Sequence, residues 1–176
     1  MTIPAQKFRE VVFQLLYSYD IGRATDEHML DMLTKELEVT KKVVREAQAR
    51  MQLILSHQDE IDTLIAKTSH AYAFERIQSV ERNILRLGSF ELLYERSIPS
   101  GIVMAEAMRL ARKFSTKESA SFVNAILNAI YKSSLGKQVD PAPLTQTALE
   151  LSQSEKIAQE AALDKNQKKS KQIDES

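Results

Sequence analysis

Catalysis and metal binding make demands on residue type and spacing that this chain does not meet. The three histidines, His28, His57 and His70, are scattered, and none belongs to a Glu-x-x-His or His-x-x-x-His pair that would set two ligands on one helical face. They read as solvated or helix-edge side chains. Glu91 and Glu95 stand one helical turn apart, the spacing of paired carboxylates, but nothing in the sequence supplies a nucleophile or an oxyanion donor beside them. A solvated face, or one acid bonded to a neighbouring helix, accounts for the pair. The chain has no cysteine, which removes disulfides, thiolate metal sites and cysteine nucleophiles. Its four glycines are isolated, so no Gly-rich loop is present to cradle a phosphate. The expectation is a protein without catalytic activity, cofactor or metal.

Binding chemistry is better represented. In RKFSTKES, Arg112, Lys113 and Lys117 flank Phe114, immediately before a helix start. A single RNA strand is held by such a set: bases stack on an aromatic ring, cations take phosphates, and a helix N-terminus adds aligned N–H donors. Lys7 and Arg9 on the first helix could line the same groove. A plainer reading stays open, with Phe114 in the core, Ser115 as a cap and Glu118 as its capping-box partner.

These residues need helices to position them, and the pattern supplies helices throughout. Pro4 suits a first helical turn, and Phe8, Val11, Val12, Leu15, Leu16 and Tyr19 recur at helical spacing up to about Asp20, before Gly22. Asp26 is placed to cap a second helix with Met29, Leu30, Leu33 and Leu37 on one face, and Thr40 to cap a third. No Gly or Pro interrupts residues 41–67, which read as one helix kinked near His57. Ile77, Val80, Ile84, Leu87 and Leu92 make a central core helix that Ser79 is placed to cap, with Leu85 and Leu93 widening its stripe. Residues 102–114 form the next helix, Ser115-Thr116-Lys117-Glu118 opens the last as a capping box, and Gly136 ends it. No strand-like alternation appears, so the fold class is all-α.

The chain divides into a helical domain, residues 1–136, and a polar extension, residues 137–176. Pro141 and Pro143 break the chain, Leu144 to Leu163 has the makings of a weak helix, and KNQKKSKQIDES has almost nothing to bury. The extension is expected to be mostly disordered. With 24 Lys plus Arg against 24 Asp plus Glu the net charge is zero, so any nucleic-acid surface must be a local patch. The N-terminus lacks the pattern of a signal peptide, and no apolar run approaches the ~20 residues that span a bilayer. A cytoplasmic location without membrane association is expected.

The order and spacing of VERNILRL, IPSGIVMAEAMRLA and FVNAIL, with FREVVFQLLYSYD near the N-terminus, resemble the NusB family of bacterial transcription antitermination factors. The resemblance is dense from about Tyr72 to Tyr131, weak from Ile21 to Ser69, and absent after Gly136. It implies two packed three-helix bundles and an adaptor in rRNA transcription. Such an adaptor binds boxA-type RNA together with NusE, a small-subunit ribosomal protein, and joins the RNA polymerase elongation complex.

On this basis the RNA-binding residues are Lys7, Arg9, Arg112, Lys113, Phe114, Lys117, Glu118 and Asn124. NusE is basic, so an acidic and aromatic surface should meet it, and Tyr17, Tyr19, Asp20, Glu75 and Glu81 match that description. Glu81 falls at the position of the family's partner-binding acid; read from the residues alone it is a first-turn carboxylate favoured by the helix dipole, and Tyr17 and Tyr19 are core edges. Two departures from the family pattern are visible. Only Lys7 and Arg9 stand where several arginines are usual, and Ala125 follows Phe122-Val123-Asn124 where Gly is usual. NusB-like domains also occur fused to RNA cytosine-5 methyltransferases, but this chain lacks the cysteine and the cofactor domain that such enzymes need. The other reading is a helical protein-interaction module, forming a homodimer, without specific RNA binding.

Overall fold

The computed structural model describes residues 3–23 and 25–174; residues 1, 2, 24, 175 and 176, which fall in the two expected segments, lie outside that description. Eight α-helices account for the described chain, with no strand among the described residues. They are α1 (Ala5–Asp20), α2 (Glu27–Glu36), α3 (Lys41–Ser56), α4 (Gln58–Thr68), α5 (Ser79–Tyr94), α6 (Ser100–Phe114), α7 (Lys117–Ser134) and α8 (Ala142–Asp174), with a 3₁₀ turn at Phe74–Arg76 before α5. Helix α3 packs on α1 and α2, and α5, α6 and α7 pack on one another. Contacts of α1 with α5 join the groups, α4 leans on α5 and α7, and α8 lies on α7.

The caps show why the helices begin where they do. Asp26 accepts from the Met29 amide at 2.9 Å, Thr40 from Val43 at 3.3 Å and Thr116 from Ser119 at 3.1 Å, each satisfying an otherwise orphaned first-turn donor. Gly136 takes a left-handed φ of 69° after α7, and the amides of Gly136 and Lys137 return to Ser133 and Lys132, so the helix stops there. At the centre, Gly88 brings α5 against α7. A Cβ there would meet Leu127 Cδ1 at 2.7 Å, so a larger residue would push the Leu127 side chain aside at this crossing.

Several expectations are corrected. Residues 41–67 form two helices, because the chain leaves helical geometry at His57, whose ring stacks on Tyr94 with centroids 4.2 Å apart. Ser79 is not the α5 cap; Gln78 holds that position, and the Ser79 hydroxyl turns to Asp20. The capping box does not form either. Thr116 is the cap and Ser115 donates to Glu81.

The largest correction concerns the extension, which is a helix of 33 residues rather than mostly disordered chain. Leu144, Ala148 and Leu151, at i, i+4 and i+7, are buried against the core, and the stretch that follows is rich in Ala, Glu, Gln and Lys, all good helix formers. From Lys156 to Lys171 each residue of α8 is largely exposed.

Candidate functional site

The residues expected at two separate surfaces meet around the first turns of α5. Asp20, at the end of α1, accepts from Ser79, from Arg82 Nη2 at 2.6 Å, from Asn83 Nδ2 at 3.1 Å and, on its other oxygen, from Arg86 Nη1 at 3.0 Å. Arg86 also forms a two-pronged pair with Asp62 of α4 at 2.8 Å on each oxygen. Burial acts to raise the Asp20 carboxyl, but the bonds from Ser79, Arg82 and Arg86 outweigh it and hold the group at about 2. Both oxygens of Asp20 are committed inward. This hub pins the end of α1, with its half-exposed Tyr19, beside the start of α5.

One turn into α5, Glu81 is buried at 3 % exposure. Its Oε1 accepts from the hydroxyls of Ser115 and Ser119, which bracket the α6–α7 junction, while Oε2 is buried with no hydrogen-bond partner among the described residues. Glu81 therefore ties the expected partner surface to the expected RNA surface. Glu75, on the 3₁₀ turn that leads into α5, is exposed.

The junction itself presents cations over a partly buried ring. Phe114 is half-buried, its ring 5.0 Å from that of Phe13 on α1, so part of it belongs to the core and part faces out. Lys113 Nζ lies 5.5 Å from the centre of the Phe114 ring and 2.7 Å from Glu10 of α1. Glu10 also accepts from Arg109 at 3.4 Å. Lys7 is three residues before Glu10 on the same face of α1, which brings it toward Lys113. Arg112 and Lys117 are exposed, and neither forms an ion pair among the described residues. Glu118 is half-buried in the first turn of α7, and Asn124, also half-buried, follows Lys117 by seven residues on the same helical face.

Three expected residues are placed differently. Arg9 is 8 % exposed and turned inward, its Nε 2.9 and 3.0 Å from the two oxygens of Glu91, so its charge is spent inside the α1–α5 contact. Burial pushes the Glu91 carboxyl up against the lowering effect of Arg9. Asp20 is enclosed by the hub. Tyr17 is half-buried against Phe13 with ring centres 6.3 Å apart, the core-edge arrangement.

Sequence reasoning missed other members. Ser115 and Ser119 hold Glu81, and α8 crosses beside them. A groove of about 330 Å³ runs between α8 and the first turns of α5 and α7, lined by Gln78, Glu81, Ser119, Glu155, Ala158 and Ala162 among others. Glu155 accepts from the Tyr72 hydroxyl at 2.7 Å, and burial followed by this acidic neighbour pushes the Tyr72 phenol up. The one signal for this arrangement was the Leu144, Ala148, Leu151 spacing, which marks an apolar stripe without saying what it covers.

Among the described residues no helix is long and apolar enough to cross a membrane, and no group of three or more His, Cys, Asp or Glu is placed to hold a metal.

Residues 6–132 match the NusB family. The transcription antitermination protein NusB of Chlamydia pneumoniae is 36% identical over 131 residues, which cover 74% of this chain and 82% of that protein. Among solved structures, a chain from the complex of antitermination factors NusB and NusE with dsRNA superposes with a TM-score of 0.62 at 29% identity, covering 73% of this chain and 96% of that one. NusB of T. maritima superposes with a TM-score of 0.63 at 29% identity, covering 81% and 98%. The match across the core helices and the packing that they share place this chain in the NusB family of transcription antitermination proteins.

Proposed function

We propose that the protein is a non-catalytic adaptor that binds boxA-type single-stranded RNA cooperatively with NusE and so joins the transcribing RNA polymerase complex in the cytoplasm. The observation that carries this reading is the pair of hydrogen bonds that Glu81 accepts from Ser115 and Ser119, which fastens the acidic partner surface to the basic junction. A NusB relative solved together with NusE and dsRNA supports the pairing of the two ligands. In this reading residues 1–136 carry the binding domain.

Arg112, Lys113, Lys117 and Lys7 take phosphates, the outer edge of Phe114 meets a base, and Glu118 and Asn124 border the strand. Tyr19 and Glu75 face the basic partner, and Glu81, buried at the wall of the groove, is the acid that a cation of the partner reaches by entering it. Arg9, Asp20 and Tyr17 act from inside, holding α1 in place. Partner docking at Glu81 then bears directly on the first turn of α7, which gives the cooperativity a physical route.

The two surfaces are separable by substitution. Glu81 is buried, so Glu81→Gln, which keeps its shape, is the appropriate change on the partner side; Lys113→Glu is the change on the RNA side. Titration of each variant with NusE and with a boxA-like strand should show Glu81→Gln weakening NusE first and Lys113→Glu weakening RNA first. Equal damage to both ligands by both variants contradicts the assignment.

A further inference from the structure

The placement of α8 bears on how the Glu81 surface is reached. Helix α8 begins eight residues after α7 ends and packs back along it, since Leu144, Ala148 and Leu151 are buried and Leu151 to Ala162 line a groove with Thr116 and Ser119 at the other end of α7. The two helices are thus antiparallel, joined by residues 135–141. The buried apolar contacts of α8 stop at Leu151. Beyond it, one polar latch holds the helix: Glu155 takes the Tyr72 hydroxyl and lies 3.8 Å from Arg76 Nη2, and the Arg76 guanidinium sits 4.4 Å over the Tyr72 ring.

Past the latch, Ala158 and Ala162 cross the groove without filling it. They line the same groove as Glu81, a buried carboxylate of which one oxygen has no hydrogen-bond partner among the described residues. Glu81 Oε2 is one of the few buried polar atoms without a partner among the described residues, and its carboxylate lies at the wall of this groove. A cationic side chain entering the groove would meet Glu81 and, once the latch opens, the freed Glu155.

We infer that residues 155–162 of α8 form an intramolecular cover over the Glu81 surface, which a basic protein partner displaces by breaking the Glu155 latch. This rests on the reading that the Glu81 surface docks such a partner. The closed form lowers the apparent affinity by the fraction of molecules in which α8 is open. Residues 137–141 are the hinge, because Gly136 has already stopped α7 and Pro141 breaks the chain before α8; since α8 is one continuous helix, tilting it off the groove also strains the buried Leu151 contact, the last before the latch. The outer part of α8 swings with the cover, and its lysines leave or approach the α6–α7 junction according to the state of the latch.

The test uses the full chain in three states. Tyr72→Phe, which opens the latch and keeps the Glu155 carboxylate, and, separately, Leu151→Ala loosen the cover. Because the chain has no cysteine, a Gln78→Cys/Ala158→Cys pair joined by a short bismaleimide locks it, with each single cysteine capped by N-ethylmaleimide as the steric control. Affinity for purified NusE is measured for all forms by calorimetry. Loosening should tighten binding about threefold or more, and locking should weaken it about tenfold relative to the capped controls, as a change in the open fraction requires. Equal affinity in loosened, wild-type and locked forms overturns the cover while leaving the docking reading intact. Weaker binding by both loosened variants overturns it too, because α8 would then be part of the docking surface. Failure of the cysteine pair to link shows that α8 does not cross the groove. Absence of NusE binding in every form overturns the docking reading and the cover with it.

Discussion

Asp20 and Glu81 are carboxylates at the same end of α5, and they are satisfied in opposite ways. Asp20 receives donors on both oxygens from Ser79, Arg82, Asn83 and Arg86, so it joins α1 to α5 and has nothing left to offer a ligand. Glu81 is more deeply buried, yet it uses one oxygen on two serines and leaves the other unpartnered beside a groove. A buried acid with a complete donor set is a structural member; one with a free oxygen at a groove is poised for a cation. Residue type alone groups the two together, and only the hydrogen-bond inventory separates them.

The comparison is broken most directly at Asp20. Asp20→Ala leaves Arg82 and the buried Arg86 short of a carboxylate, and removal of one partner from a buried pair costs about 3–5 kcal/mol. For a chain of this size that lowers the thermal midpoint by about ten degrees or more. Scanning calorimetry should show this, and a shift within a degree or two would place Asp20 outside the core network. Acid titration sharpens the same point. The folded carboxyl of Asp20 titrates at about 2, below its ordinary 3.8, so its contribution is complete above the usual carboxylate range and is lost as pH falls from about 4 toward 2. Glu91 runs the other way, since its raised value makes its contribution greatest in acid and lost as pH rises through the folded value. Asp20→Asn should flatten the acid limb of the stability curve, and chemical unfolding at pH 2 to 5 reads it.

Next in size is Arg9→Ala, which strands the buried Glu91 and should cost about 3 kcal/mol. The apolar double variant Arg9→Met/Glu91→Leu should recover most of that loss, and its affinity for RNA should match wild type. Lost RNA affinity in the stably folded double variant would restore Arg9 to the RNA surface.

Glu81→Gln is expected to be milder for stability, about 1 kcal/mol, because the amide oxygen still accepts from Ser115 and Ser119. Its effect belongs to binding, with NusE affinity falling about tenfold, equal to about 1.4 kcal/mol. The smallest expected change is that of Lys117→Ala, which removes one exposed cation. It should reduce the slope of log affinity against log salt by about 0.7 for a single strand while leaving NusE binding unchanged.

Much of the scaffold was legible before any coordinates. Asp26, Thr40 and Gly136 carried their signals in residue type and position, and the apolar stripe of α5 was plain from Val80 to Leu92, with Ile77 just ahead of the helix. At the junction around Phe114 the break between two helices was legible within eight residues, but its cap was not, since Thr116 rather than Ser115 holds that position. Arg9 was misplaced although a signal existed. It shares a helical face with Val12, Phe13 and Leu16, all buried, so periodicity pointed it inward while its charge suggested the surface. A weak helix over Leu144 to Leu163 was legible, but the full length of α8 was not, because the polar composition argues for disorder; one short stripe, Leu144 to Leu151, anchors the helix and good helix formers carry it onward. The bonds of Glu81 to Ser115 and Ser119 join residues more than thirty positions apart, a tertiary fact without a local trace.

The most direct test of the adaptor is fluorescence anisotropy of a labelled boxA-like strand, titrated at several salt concentrations with and without NusE and against a scrambled strand. The zero net charge and the few free cations at the junction predict weak RNA binding by this protein alone, with a shallow salt dependence. With NusE present, affinity for the boxA-like strand should rise about tenfold or more, a coupling of about 1.4 kcal/mol or greater, and the salt slope should steepen. The same affinity with and without NusE, or no preference over the scrambled strand, would contradict cooperative adaptor function.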